Sequence, residues 1–207
     1  MSRGERVPAS DRQLLARVRA CSLCEPELPL GARPILQIHP DARVLIVGQA
    51  PGRRAHESGV PFSDPSGDRL RAWMQIDRAT FYDATKLALL PMGFCYPGTG
   101  PSGDLPPRPE CAPTWHAPLR AVLRRVELTI VVGRYALGSR VAGADPGRAG
   151  SVTEAVRAWR DEWPEVLPLP HPSPRNNRWL REHPWFEREV VPALRERLRA
   201  LGLSTME

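Results

Sequence analysis

Two short apolar runs constrain the fold most tightly: Arg43-Val44-Leu45-Ile46-Val47 and Leu128-Thr129-Ile130-Val131-Val132. A strand with one wet face alternates apolar and polar residues. A continuous aliphatic run is covered on both faces, as in a parallel sheet flanked by helices. Two shorter candidates, Leu87–Leu90 and Val166–Leu169, bring the strand count to four. Between them the spacing predicts helices. One runs over Asp11–Arg19 with Asp11 as a cap. Another is capped by Ser66 and carries Leu70, Trp73 and Met74 on one face. Further helices are predicted over Thr114–Arg125, Glu154–Trp159 and Trp185–Leu201, and the Pro- and Gly-rich stretch Tyr96–Pro113 reads as a long loop. Strands alternating with helices predict an α/β protein: a three-layer α/β/α sandwich around a central four-stranded parallel sheet. At 207 residues the chain suits a single domain over 1–207, with an N-terminal helix in 1–20 and a cysteine-bearing segment over 21–42.

Ligands of such sheets bind at the carboxyl ends of the strands. Two unusual loops stand at those ends. Val47-Gly48-Gln49-Ala50-Pro51-Gly52 follows one strand, and its glycines let backbone amides approach a ligand. His171-Pro172-Ser173-Pro174-Arg175-Asn176-Asn177 follows another, a rigid protruding loop with an imidazole at its root and a basic, amide-rich tip. The net charge of +6 and pI near 9.8 suit a polyanionic partner, although all but one of the 29 basic residues are arginine, as a GC-rich genome would also produce. No apolar run is long enough to span a membrane, and Met1–Arg6 lacks a signal peptide's apolar stretch, so a cytoplasmic protein is expected.

The four cysteines fall at Cys21 and Cys24, then after 70 residues at Cys95 and after 15 more at Cys111. In a reducing compartment such a set reads as metal ligands or as buried apolar groups rather than as disulfides.

The paired loops, in this order and about 120 residues apart, resemble motifs A and B of the uracil-DNA glycosylase superfamily. The pattern is similar to a bacterial branch with GQAPG and HPSPRNN motifs. The cysteine spacing resembles that of the four-cysteine, iron–sulfur (family-four) enzymes. The resemblance implies a monomeric, nucleoid-associated base-excision-repair enzyme that flips uracil or a related deaminated base out of DNA and hydrolyses its N-glycosidic bond. It also implies a [4Fe–4S] cluster on Cys21, Cys24, Cys95 and Cys111. Structural zinc remains the alternative for four thiolates. His171 matches the histidine that hydrogen-bonds the uracil O2, and Phe62 the phenylalanine on which the flipped base stacks. Gly48, Ala50, Pro51 and Gly52 would line the base. Arg53, Arg54, Ser173, Arg175, Asn176, Asn177 and Arg178 would hold DNA, with Arg175 as the wedge filling the vacated stack. No lysine lies near either motif, so a Schiff-base lyase step is not expected.

Three positions depart from the family pattern. Gln49 and Ala50 replace the carboxylates that sit in motif A in the GEAPG and GQDPYH branches, and Pro91 stands where the iron–sulfur branch has a base-reading asparagine. Asp64, just beyond Phe62, is the preferred substitute water activator. Glu57 and Asp68 are expected to cap a helix or balance Arg53, Arg54 and Arg69, and His56 is equally suited to the pocket or to solvent. The missing acid also suits a rival reading, a binder of damaged or abasic DNA that cleaves weakly or not at all. A nucleotide hydrolase is disfavoured because the glycine loop lacks a following Gly-Lys-Ser/Thr.

Overall fold

Strands β1 (Val44–Val47), β2 (Leu87–Leu89), β5 (Leu128–Val132) and β6 (Val166–Leu169) hydrogen-bond side by side, all parallel, in the order β2-β1-β5-β6. Val44 registers with Leu87 on one side and Leu128 on the other, and Thr129 with Val166. The structure, a computed structural model, describes residues 7–101, 103–138 and 150–203. The segment Met1–Arg6 and parts of the single domain drawn over 1–207 lie outside them.

Because side chains alternate along a strand, each strand feeds two cores. Val44, Ile46, Leu87, Leu89, Ile130 and Leu167 point to one face, where they pack with Leu70, Trp73 and Met74 of helix α3 (Pro65–Met74) and with Leu194 and Leu198 of α9 (Val191–Ala200). Leu45, Val47, Ala88 and Val131 point to the other, against Leu15 and Val18 of α1 (Ala9–Arg19) and Leu119 and Val122 of α5 (Cys111–Val122). Helices thus cover both faces, the arrangement that the unbroken apolar strands require. Among the described residues no helix is long and apolar enough to cross a membrane.

Several local expectations are corrected. The cap of α3 is Asp64, whose Oδ1 accepts the Gly67 N–H at 3.0 Å, rather than Ser66. Asp11 lies inside the first turn of α1, buried and paired with Arg124 at 3.0 Å, instead of capping it. Tyr96–Pro113 is not one irregular loop: Thr99–Gly100 (β3) and Gly103–Asp104 (β4) form an antiparallel hairpin, and α5 already begins at Cys111. Helix 154–159 is α7 (Val152–Arg157), with a capping box between Ser151 and Glu154, followed by a 3-10 turn. The last helix is a π-helical turn, Phe186–Val190, running into α9. Short helices α2 (Arg53–Ser58), α4 (Arg78–Tyr82), α6 (Gly133–Leu137) and α8 (Asn177–Glu182) also occur among the described residues.

Candidate active site

All four strands deliver a loop to the same edge: Gly48 after β1, Leu90 and Pro91 after β2, Gly133 after β5 and His171 after β6. Strand order reverses between β1 and β5, the place where open α/β sheets form their ligand crevice. Motif A and the segment after β2 run together, with Met92 N–H donating to Gly48 O at 2.9 Å and Gly93 N–H to Gln49 O at 3.0 Å. Pro91, in the place of the family's asparagine, has its carbonyl 2.9 Å from Nε2 of the buried His116.

Phe62 sits in the left-handed region, at φ 53°, uncommon for an aromatic residue. Several contacts hold it there. Its carbonyl accepts from Arg71 Nη1 and from the Tyr82 hydroxyl, each at 3.2 Å, and lies where a side chain on Gly67 would stand, 1.8 Å from an added Cβ. Arg71 is buried, lies over the Phe81 and Tyr82 rings, and bonds Asp68 at 2.6 Å. The half-buried Phe62 ring meets Phe81 edge-on and ends 3.5 Å from where a Cβ on Gly48 would be, so it lies over motif A. Sequence reasoning missed Arg71 because an arginine at a helical position reads as solvated.

His171 is held from both sides. Its Nδ1 accepts the Ser173 N–H at 3.2 Å, its carbonyl accepts from Asn176 Nδ2 at 2.7 Å, and its Cβ is 3.3 Å from where Gly133, at φ 76°, would carry one. An acceptor at Nδ1 puts the imidazole proton on Nε2, which has no partner among the described residues. Burial pushes the His171 pKa below the ordinary histidine value, while the carboxylates of Asp64 and Asp104 pull the other way. The ring is therefore a neutral donor at the strand edge. Arg69 secures the rest of the loop, donating to Ser173 O at 3.1 Å and to Asn177 Oδ1 at 2.7 Å, and Ser173 Oγ accepts the Arg175 N–H at 3.3 Å.

The basic candidates are exposed, and Arg53 and Arg178 carry ion pairs. Arg53 bonds Glu57 at 2.9 Å and Arg178 bonds Glu182 at 2.7 Å, while Arg54 is exposed on α2. The Arg175 guanidinium packs on the hairpin, 1.8 Å from where Gly103 would carry a Cβ. His56 is buried, not solvent-facing, with its ring 6.1 Å from that of Tyr96 and its Nδ1 without a partner among the described residues. Glu57 and Asp68 pair with Arg53 and Arg71; neither caps a helix. Asp104, which sequence reasoning also passed over, places Oδ2 3.3 Å from where a Cβ on Gly52 would be.

Cys21, Cys24, Cys95 and Cys111 line one cavity together with Pro34, Gly93, Phe94 and Arg108, and all four are free thiols. Cys111 opens α5 rather than lying in a loop. Burial pushes the Cys95 thiol up to about 11 and the Cys111 thiol up to about 12. The neighbouring cysteines add to both shifts, and backbone N–H groups of Arg33 and Phe94 oppose them. Among the described residues no three His, Cys, Asp or Glu side chains gather as tightly as a single bound ion requires. Arg33 also ties this region to motif A, since its guanidinium donates to His56 O and, at 3.1 Å, to Glu57 O at the end of α2.

The family model described as the uracil DNA glycosylase superfamily matches residues 36–195, which span every strand, both motif loops, Phe62, Cys95 and Cys111. On that match and on this α/β architecture, the chain belongs to the uracil-DNA glycosylase superfamily.

Proposed function

We propose that the protein is a monofunctional DNA glycosylase that flips out uracil or a related deaminated base and hydrolyses its N-glycosidic bond. Superfamily membership suggests glycosylase activity on DNA. The observation that carries the finer reading is the neutral His171, with Nε2–H unpaired at the carboxyl edge of the sheet. As the glycosidic bond breaks, negative charge collects on the departing base, and a preorganised donor aimed at its carbonyl stabilises that charge. Phe62, fixed over Gly48, supplies the stacking face for the flipped base. The Gly48–Gly52 turn brings backbone against the base, and Gln49 orients base or water through its amide. The exposed Arg53, Arg54, Arg175 and Arg178 supply positive charge for flanking phosphates, with Ser173, Asn176 and Asn177 shaping the loop that enters the duplex. Asp64 keeps one oxygen on the Gly67 amide, leaving the other to orient water.

The four cysteines are proposed to hold a [4Fe–4S] cluster. Their convergence on one cavity supports this, as do the Arg33 and Phe94 amides directed at the Cys95 and Cys111 sulfurs. Structural zinc is the alternative occupant, since four thiolates also suit a tetrahedral site. A cluster there serves as a staple, joining the segment after α1 to both ends of the 95–111 stretch.

The absence of an acid at Gln49 and Ala50 favours one other reading, a binder of damaged DNA. Incubating the protein with a uracil-containing duplex and then applying hot alkali separates the two. Strand cleavage identifies a glycosylase; a gel shift with intact strands identifies a binder.

A further inference from the structure

We propose that Asp104, at the end of the hairpin between Cys95 and Cys111, is the carboxylate that accepts the proton of the attacking water. The inference rests on the glycosylase reading and names the base that motif A lacks.

Three observations converge on this residue. First, its Oδ2 lies beside the backbone of Gly52, 3.3 Å from where a Cβ would stand, so the carboxylate lies against the motif A turn. Ala50 has no group to put there. Second, the hairpin is locked to motif B. Gly103 adopts φ 121° and leaves no room for a side chain because the Arg175 guanidinium fills the space. The Tyr96 hydroxyl bonds Thr99 at the base of the hairpin, and Leu105 N–H donates to Gly98 O at 2.8 Å. The hairpin that carries Asp104 is therefore packed against motif B, and the Asp104 charge favours protonation of His171. Third, the carboxylate is exposed and has no hydrogen-bond partner among the described residues, whereas Asp64 spends Oδ1 on its cap.

Asp104 thus stands between the two loops that must straddle the target nucleotide. The base carbonyl that His171 addresses and the sugar carbon that water attacks flank the same glycosidic nitrogen, so their two protein partners must converge within a few ångströms. In the step, the water oxygen bonds to the anomeric carbon while the carbon–nitrogen bond breaks. The electron pair leaves on the base, whose carbonyl accepts from His171 Nε2–H. The water proton passes to Asp104 and from there to solvent or to the departing base.

The test is single-turnover uracil excision from a duplex by Asp104→Asn, Asp104→Ala and His171→Ala. It is paired with anisotropy measurements of binding to a duplex carrying a tetrahydrofuran abasic analogue. A positioned base contributes on the order of 10²–10⁴ in rate, so Asp104→Asn should lose about 100-fold or more. Asp104→Ala should regain rate when sodium formate is added, and neither variant should bind the abasic duplex more weakly, since each removes a negative charge facing phosphate. If the wild type and Asp104→Asn excise at equal rates while His171→Ala is impaired, Asp104 is not the base and the glycosylase reading stands. Parallel losses of rate and binding without formate rescue assign Asp104 a structural role and overturn the proposal. A wild type that never excises uracil or a deaminated purine refutes the glycosylase reading itself.

Discussion

Arg71→Met should weaken the fold and the base platform together. The Arg71 side chain is almost fully buried and spends Nη1 on the Phe62 carbonyl at 3.2 Å and the Tyr82 hydroxyl at 3.3 Å. Its partner Asp68 is largely exposed, so that ion pair contributes at most about 1 kcal/mol. A charged hydrogen bond to a buried carbonyl contributes roughly 1.5–3 kcal/mol, and leaving the acceptor unpaired costs about 1–3 kcal/mol, overlapping terms that put the whole loss near 2–4 kcal/mol. Left-handed backbone at Phe62, worth about 1–3 kcal/mol of strain, is then held by fewer contacts and relaxes. For a domain of this size each kcal/mol moves Tm by about 2–4 °C, so thermal melting should fall by roughly 5–15 °C. Tyr82→Phe should cost only about 0.5–1.5 kcal/mol. Because Arg71 and Tyr82 share the Phe62 carbonyl, the double variant should depart from additivity by at least about 0.5 kcal/mol. Single-turnover excision by Arg71→Met should slow by on the order of tenfold or more, since a displaced platform misplaces the base. An Arg71→Met protein that melts with the wild type and excises at its rate would refute this account of Phe62.

Other consequences are open to direct measurement. Protein purified anaerobically should absorb broadly near 400 nm (order of magnitude for iron–sulfur charge transfer). Cys95→Ala should bleach it and lower Tm, whereas a colourless protein with stoichiometric zinc would replace the cluster by zinc. In an NMR titration His171 should titrate below the ordinary histidine value. Asp64→Asn or Asp104→Asn should lower it further, because each removes a charge that favours the imidazolium. Since the folded pKa is the depressed one, His171 costs no stability above the unfolded value near 6.5 and destabilises progressively as pH falls from there toward its folded pKa. Arg175→Ala should weaken binding to abasic or uracil-containing duplex more than to undamaged duplex; equal losses would reduce Arg175 to a phosphate contact.

The strands were readable because Val44–Val47 and Leu128–Val132 are aliphatic at every position but Thr129, leaving parallel, doubly covered strands as the economical solution. The loops at Gly48 and His171 were readable for the same reason: each follows a recognisable strand. Helix ends were harder, since the cap of α3 depends on which of Asp64 and Ser66 reaches an amide. The hairpin was hidden by Pro and Gly that also mark irregular loops, although Pro101-Ser102-Gly103-Asp104 is turn chemistry. Arg71 and Asp104 left no local signal. One is buried only because Phe62, Phe81 and Tyr82 close over it, and the other reaches Gly52 only because Arg175 docks on Gly103.

The central claim is that a neutral imidazole at the end of β6 stabilises the departing base, and single-turnover excision of uracil by His171→Ala tests it most directly. Losing one preorganised donor costs on the order of 10²–10³ in rate, so the variant should slow by about that factor while binding the uracil duplex with nearly wild-type affinity. Excision by His171→Ala at the wild-type rate would contradict the mechanism.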